Sequence, residues 1–94
     1  MAKLLGKFIK QPGEVLDYDV DFSEWFSNRT DGPATHTSVA ETGLTIVSSQ
    51  LSGNVVKVIC SGGTSGSSYK VTVRLTTTAG LVKEVDFQVK IKEV

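Results

Sequence analysis

The chain has 94 residues, 39% of them apolar, and its ten basic and ten acidic side chains cancel. That length makes one small domain around a single core, and the charge balance gives no global attraction for nucleic acid. No stretch approaches the ~20 apolar residues of a membrane span. No apolar run follows Lys3 and Lys7 as a signal peptide would need, so the reading is a chain not secreted by a signal peptide. Cys60 is the only cysteine, which excludes an internal disulfide and suits a reducing cytoplasm.

Residues 1–7 read as a flexible leader and 8–94 as one domain, with the first strand starting near Phe8 and a turn at Gln11-Pro12-Gly13. Leu16, Tyr18, Val20 and Phe22 then alternate with Asp17, Asp19 and Asp21, a strand with one buried face. Ser23 to Phe26 predicts a helical turn with Ser23 as its N-cap, folding Trp25 over the core. Asn28 to Pro33 is turn chemistry throughout. Ala34 to Ala40 alternates weakly, and Leu44, Ile46 and Ser48 mark a short strand before a break at Gln50 to Gly53. Val55 to Cys60 is apolar on both faces except for Lys57, as a central strand would be. Ser61 to Ser68 reads as a Gly/Ser loop containing Gly63.

Tyr69, Val71, Val73 and Leu75 form the next alternating run, followed by a break at Thr77 to Gly80. Val85, Phe87, Val89 and Ile91 resume the pattern, and the two runs predict a hairpin. A Tyr at the start of a strand is where immunoglobulin-type sandwiches place a tyrosine corner, its hydroxyl tied to backbone just upstream. The expected fold is all-β, an immunoglobulin-like β-sandwich of about seven antiparallel strands.

The residues alone show no active site. Asp17-x-Asp19-x-Asp21 opens like a calcium loop, but Phe22 and Asn28 stand where that loop needs Gly and Glu. Ser61 to Gly66 resembles a phosphate loop only in composition, since no Lys-Ser/Thr pair or helix follows. His36 and Cys60 could form a nucleophile pair only with an orienting group that nothing marks. Asn28-Arg29-Thr30 fits a glycosylation acceptor but has no secretory context. The reading is therefore no catalytic residue, no cofactor and no metal. Trp25, with Tyr18 and nearby loops, supports an alternative as a carbohydrate- or surface-binding module, although a lone Trp beside an alternating strand is more often core.

Charge is unevenly spread. Glu14, Asp17, Asp19, Asp21, Glu24, Asp31 and Glu41 lie between Gln11 and Glu41 against Arg29 alone, with lysines concentrated before and after. Either the two sets attract across neighbouring strands of one sandwich, or they make a dipolar surface that orients copies head to tail.

The segment Phe8-Ile9-Lys10-Gln11-Pro12-Gly13-Glu14-Val15-Leu16-Asp17-Tyr18-Asp19-Val20-Asp21-Phe22-Ser23-Glu24-Trp25 resembles the start of a family of small proteins encoded among tailed-bacteriophage structural genes. Shared features are a Lys-x-Pro opening, Leu-Asp-Tyr, an aliphatic-Asp-aromatic triplet and a Trp shortly after. Val58-Ile59-Cys60-Ser61-Gly62-Gly63-Thr64, then Gly66, Tyr69-x-Val71, Leu75, Thr76 and Gly80, resemble the family's second signature. The chain departs from it at Phe22, often Trp, and in Ala34 to Ala40, where a second Trp is common. The resemblance implies a non-enzymatic virion or virion-assembly protein with an immunoglobulin-like domain. Its partners would be other phage structural proteins of the capsid, neck or tail, without nucleic acid or membrane, and self-association stays open. It would reside in the virion, or in the host bacterial cytoplasm during assembly. Leu16, Tyr18, Val20, Phe22, Trp25, Gly63, Tyr69 and Val71 form the structural signature, and Phe8 and Ile9 are the candidate partner contacts.

Overall fold

Apolar–polar alternation resolves into seven strands and one helical turn: β1 (Lys3–Lys10), β2 (Leu16–Asp21), α1 (Ser23–Phe26), β3 (Pro33–Ala40), β4 (Leu44–Ser52), β5 (Val55–Gly62), β6 (Ser68–Thr77) and β7 (Val82–Ile91). This computed structural model describes residues 3–26 and 32–93. Met1, Ala2 and most of the Asn28–Pro33 turn, with its Asn28-Arg29-Thr30 motif, lie outside the described residues.

The strands form two sheets, β1-β7-β6-β3 and β2-β5-β4. Their inner faces carry the alternating apolar sets: Val71, Val73, Leu75, Val85, Phe87, Val89 and Ile91 from the first, and Tyr18, Val20, Leu44, Val56, Val58 and Cys60 from the second. Facing sheets with one apolar side each make an all-β sandwich. The β-branched run of β5 does lie centrally, flanked by β2 and β4. The order β7-β6-β3 lies opposite β2-β5-β4, with β1 placed beside β7.

Several expectations need correction. The strands are not all antiparallel, because β1 pairs with β7 in parallel, from Lys3 opposite Val85 to Lys10 opposite Ile91. This strand begins at Lys3, ahead of the start expected near Phe8, so backbone read as a loose leader belongs to a ladder. The cap of α1 comes from Asp21: its carboxylate accepts the Ser23 N–H at 2.8 Å, and the Ser23 hydroxyl and amide lower the Asp21 pKa. A carboxylate serves here better than a hydroxyl because it also faces the positive end of the peptide dipoles. β4 runs on to Ser52 through an irregularity between Ile46 and Ser48, which lets a mostly polar stretch stay paired with β5. The Gly/Ser loop shrinks to residues 63–67 as β5 and β6 extend into it.

At the open side of the sandwich the two edge strands meet, with the Ser38 and Ser49 hydroxyls 2.7 Å apart. At the opposite side Phe8, Tyr18 and Phe87 pack as an aromatic triangle with centroids 5.1, 5.2 and 5.8 Å apart. Phe8 and Phe87 come from one sheet and Tyr18 from the other, so aromatic contact closes this seam.

Gly63 has φ +96°, and a Cβ there would run into the Ile91 side chain. Backbone strain and overpacking therefore act together, and Gly63→Ala should cost about 2–4 kcal/mol in urea unfolding. Gly53 also has positive φ, +58°, but open space where a Cβ would go, so Gly53→Ala should cost only about 1 kcal/mol. Equal losses at the two positions would remove the role assigned to Ile91.

Candidate functional site

β1 places Phe8 and Lys10 on its inner side and Lys7 and Ile9 on its outer side, by strand alternation. Lys10 is completely buried. Its Nζ donates to the carbonyls of Gly62 at 2.7 Å, Gln11 at 2.8 Å and Pro12 at 3.4 Å. An ammonium has three protons to place, and three carbonyl dipoles offset a desolvation cost that would otherwise be severe. Gly62 ends β5 in one sheet and Lys10 ends β1 in the other, so this side chain joins the sheets at one end of the sandwich. Composition alone makes Lys10 a leader charge. The available signal is its phase: it alternates with Phe8 and directly precedes the turn at Pro12 and Gly13.

Tyr69 completes the same end. Its hydroxyl accepts the Thr64 N–H at 3.0 Å, and a Cβ on Gly43 would lie 2.7 Å from its ring. Hydrogen bonds from Thr64, the side chain first and the amide second, hold its phenol below the ordinary value. The loop is stitched further by Gly66 N–H to Ile91 O at 2.8 Å and Ile91 N–H to Ser67 O at 2.9 Å.

Tyr18 has the opposite character. Its hydroxyl is buried and has no hydrogen-bond partner among the described residues. Burial first, then the neighbouring Cys60, Glu14 and Asp17, pushes its pKa up to about 12. Cys60 is fully buried on β5, and burial raises its thiol to about 11 against a lowering pull from Lys10. Lys10 is distant from Cys60 in sequence but near enough in space to act on it, and desolvation outweighs that cation. A thiol held at such a value is a poor nucleophile.

Among the remaining signature residues, Val20, Phe22 and Val71 are core, and Leu16 and Trp25 pack partly buried against it. Trp25 meets Phe26 edge-on at 4.9 Å and has the Lys83 ammonium 5.9 Å over its ring, which takes up surface a stacked sugar would need. Phe8 is divided between roles, 39% exposed yet inside the aromatic triangle, whereas Ile9 is 61% exposed on the outer side. His36 lies on β3 opposite Leu75, in the sheet that does not contain Cys60. No group of three or more His, Cys, Asp or Glu side chains among the described residues could hold a metal ion. No helix among them is long and apolar enough to cross a membrane.

Lys10 and Tyr69 thus close the protein's own loops, and its exposed charges lie on strand edges and outer faces. That is the organisation of a structural β-sandwich. Over residues 10–90 the chain matches the family described as podophage GP4 fiber-tail adaptor protein gp77, and it belongs to that family. It is accordingly a phage structural or accessory protein. None of the curated proteins matches it.

Removing Lys10 leaves three carbonyls short of a donor, so Lys10→Ala should lower stability by about 2–4 kcal/mol in urea unfolding; a loss below ~0.5 kcal/mol would show that the ammonium is dispensable.

The tyrosines should respond in opposite senses. Tyr69→Phe loses a made hydrogen bond and should lower the melting temperature at neutral pH, while Tyr18→Phe deletes an orphaned hydroxyl and should leave it unchanged or higher. In alkali, Tyr18 keeps its proton longer in the folded than in the unfolded chain. Its contribution is therefore complete below pH 10 and lost as pH rises from 10 to about 12. Tyr18→Phe should flatten the decline across that window, and an unchanged slope would contradict the assignment.

Proposed function

We propose that this chain is a non-enzymatic component of a phage tail that links fibre to tail through protein–protein contacts. The family match over residues 10–90 carries this reading, since that family is described by an adaptor role between fibre and tail. The inert setting of Cys60, raised to about 11 by burial, supports a role without catalysis. Partners are other structural proteins of the tail, with the chain entering the virion after assembly in the bacterial cytoplasm; neither nucleic acid nor membrane is needed.

Contacts run through strand edges. Among the described residues β1 is paired on one side only and ends its sheet, so its second edge offers backbone groups to an incoming strand. Ile9, 61% exposed on this strand, supplies an apolar anchor. Phe8 is a lesser one because its ring also serves the core. Docking uses the outer side and free edge of β1, because Phe8 and Lys10 on its inner side are already committed to the sandwich.

Phage particles assembled without this chain should have complete heads and tails but lack attached fibres by negative-stain microscopy. Complementation with an Ile9→Asp variant should restore fibres poorly. Particles with a full set of fibres in its absence would overturn the proposal.

A further inference from the structure

Among the described residues, the two outer faces of the sandwich carry an excess of opposite charge, each only partly offset by local ion pairs. On β2, an edge strand, Asp17, Asp19 and Asp21 are all exposed and stand at alternate positions on the solvent side. At ~3.4 Å per residue this stripe is about 14 Å long. Lys57, facing it from β5, lies 3.4 Å from Asp17 and is the one cation paired with it among the described residues.

On the outer face of the other sheet, Lys7, Lys70 and Lys90 are exposed on three adjacent strands. Gln88 stands between Lys7 and Lys70 in register, and Lys90 stands opposite Ile9. With strands ~4.8 Å apart, Lys7 and Lys70 are about 10 Å from each other, and Lys90 is about 7 Å further along β7 than Gln88. None of these three forms an ion pair among the described residues. Of the acids on and beside that face, Glu84 is paired with Arg74 at 2.6 Å; Asp86, which accepts the Thr72 hydroxyl at 2.8 Å, and Glu41 at the adjoining turn, which accepts the Lys70 N–H, keep their charge and reduce the positive excess of the three lysines without cancelling it. The lysine patch and the carboxylate stripe are therefore similar in size and opposite in sign. They cannot meet in one molecule, because they lie on the outward sides of opposite sheets.

We propose that copies of this chain associate head to tail, the β2 carboxylate stripe of one copy seating on the Lys7, Lys70 and Lys90 patch of the next. Ile9 borders the patch on the edge strand, 61% exposed, and adds an apolar contact beside Lys90. Different patches on the two partners make the contact heterologous, so it propagates to a ring or an open string of copies and does not stop at a symmetric pair. Exposed charges supply the specificity, which makes the association weak and strongly screened by salt.

Sedimentation velocity of the full chain tests this. In about 10 mM salt the mean mass should exceed one chain and grow with concentration, and in about 500 mM salt it should fall to one chain. Asp19→Lys and Lys70→Glu should each weaken association at low salt by tenfold or more, with circular dichroism showing both variants folded. Mixing the two should restore association at least to one-to-one pairs, because the intact stripe of Lys70→Glu meets the intact patch of Asp19→Lys. A single-chain mass at low salt would leave these faces to some other occupant and overturn the proposal. So would oligomers insensitive to salt, or a mixture that stays dissociated.

Discussion

The end of this sandwich is organised around one buried cation. Lys10 terminates β1, turns its ammonium inward, and gathers the carbonyls of Gln11, Pro12 and Gly62. Those acceptors belong to the turn that leads into β2 and to the last residue of β5, so a single side chain fixes where two strands stop and how the two sheets meet. The Lys-x-Pro opening acquires a physical meaning from this: the lysine is followed by the turn whose carbonyls it needs. With Lys10 in place, Gly63 can pass close to Ile91, and Tyr69 can reach back to Thr64. Each contact positions backbone that the next one uses.

Most of the architecture is written in period-two alternation. β2, β6 and β7 each have a clean apolar face, and β5 is identifiable by being apolar on both. What alternation does not encode is strand direction. A parallel pair such as β1 and β7 is set by long-range placement, and the short, charged start of the chain gives little local indication that it will join a sheet. The length of β4 is equally obscure, because Ser48, Ser49, Gln50 and Ser52 have weak strand signals and are held by pairing to β5, a tertiary effect that local propensity misses.

The polar groups are legible to different degrees. Tyr69 can be placed because its position relative to Val71 and the preceding Gly/Ser loop matches a recurrent corner. Lys10 cannot, since a lysine in a basic segment is ordinarily solvated and its burial depends on a carbonyl 52 residues away in sequence. Cys60 is recognisable as a core residue from its strand, although the cation near it comes from a distant stretch of the chain. The outer-face charges are visible as a bias along the sequence. Only the sheet order separates them onto opposite sides of the molecule.

The parallel β1–β7 pair also decides how the domain carries tension. Because the two strands run the same way, the beginning of β1 at Lys3 and the finish of β7 at Ile91 lie at opposite ends of their shared ladder. A pull applied there slides one strand along the other, and the bonds of the ladder are strained together. An antiparallel hairpin pulled at its open end would instead unzip, its bonds breaking in succession. The buried Lys10 ammonium stands at the far end of that same ladder, anchored to the opposite sheet through Gly62, so sliding β1 also means withdrawing a charge from that carbonyl.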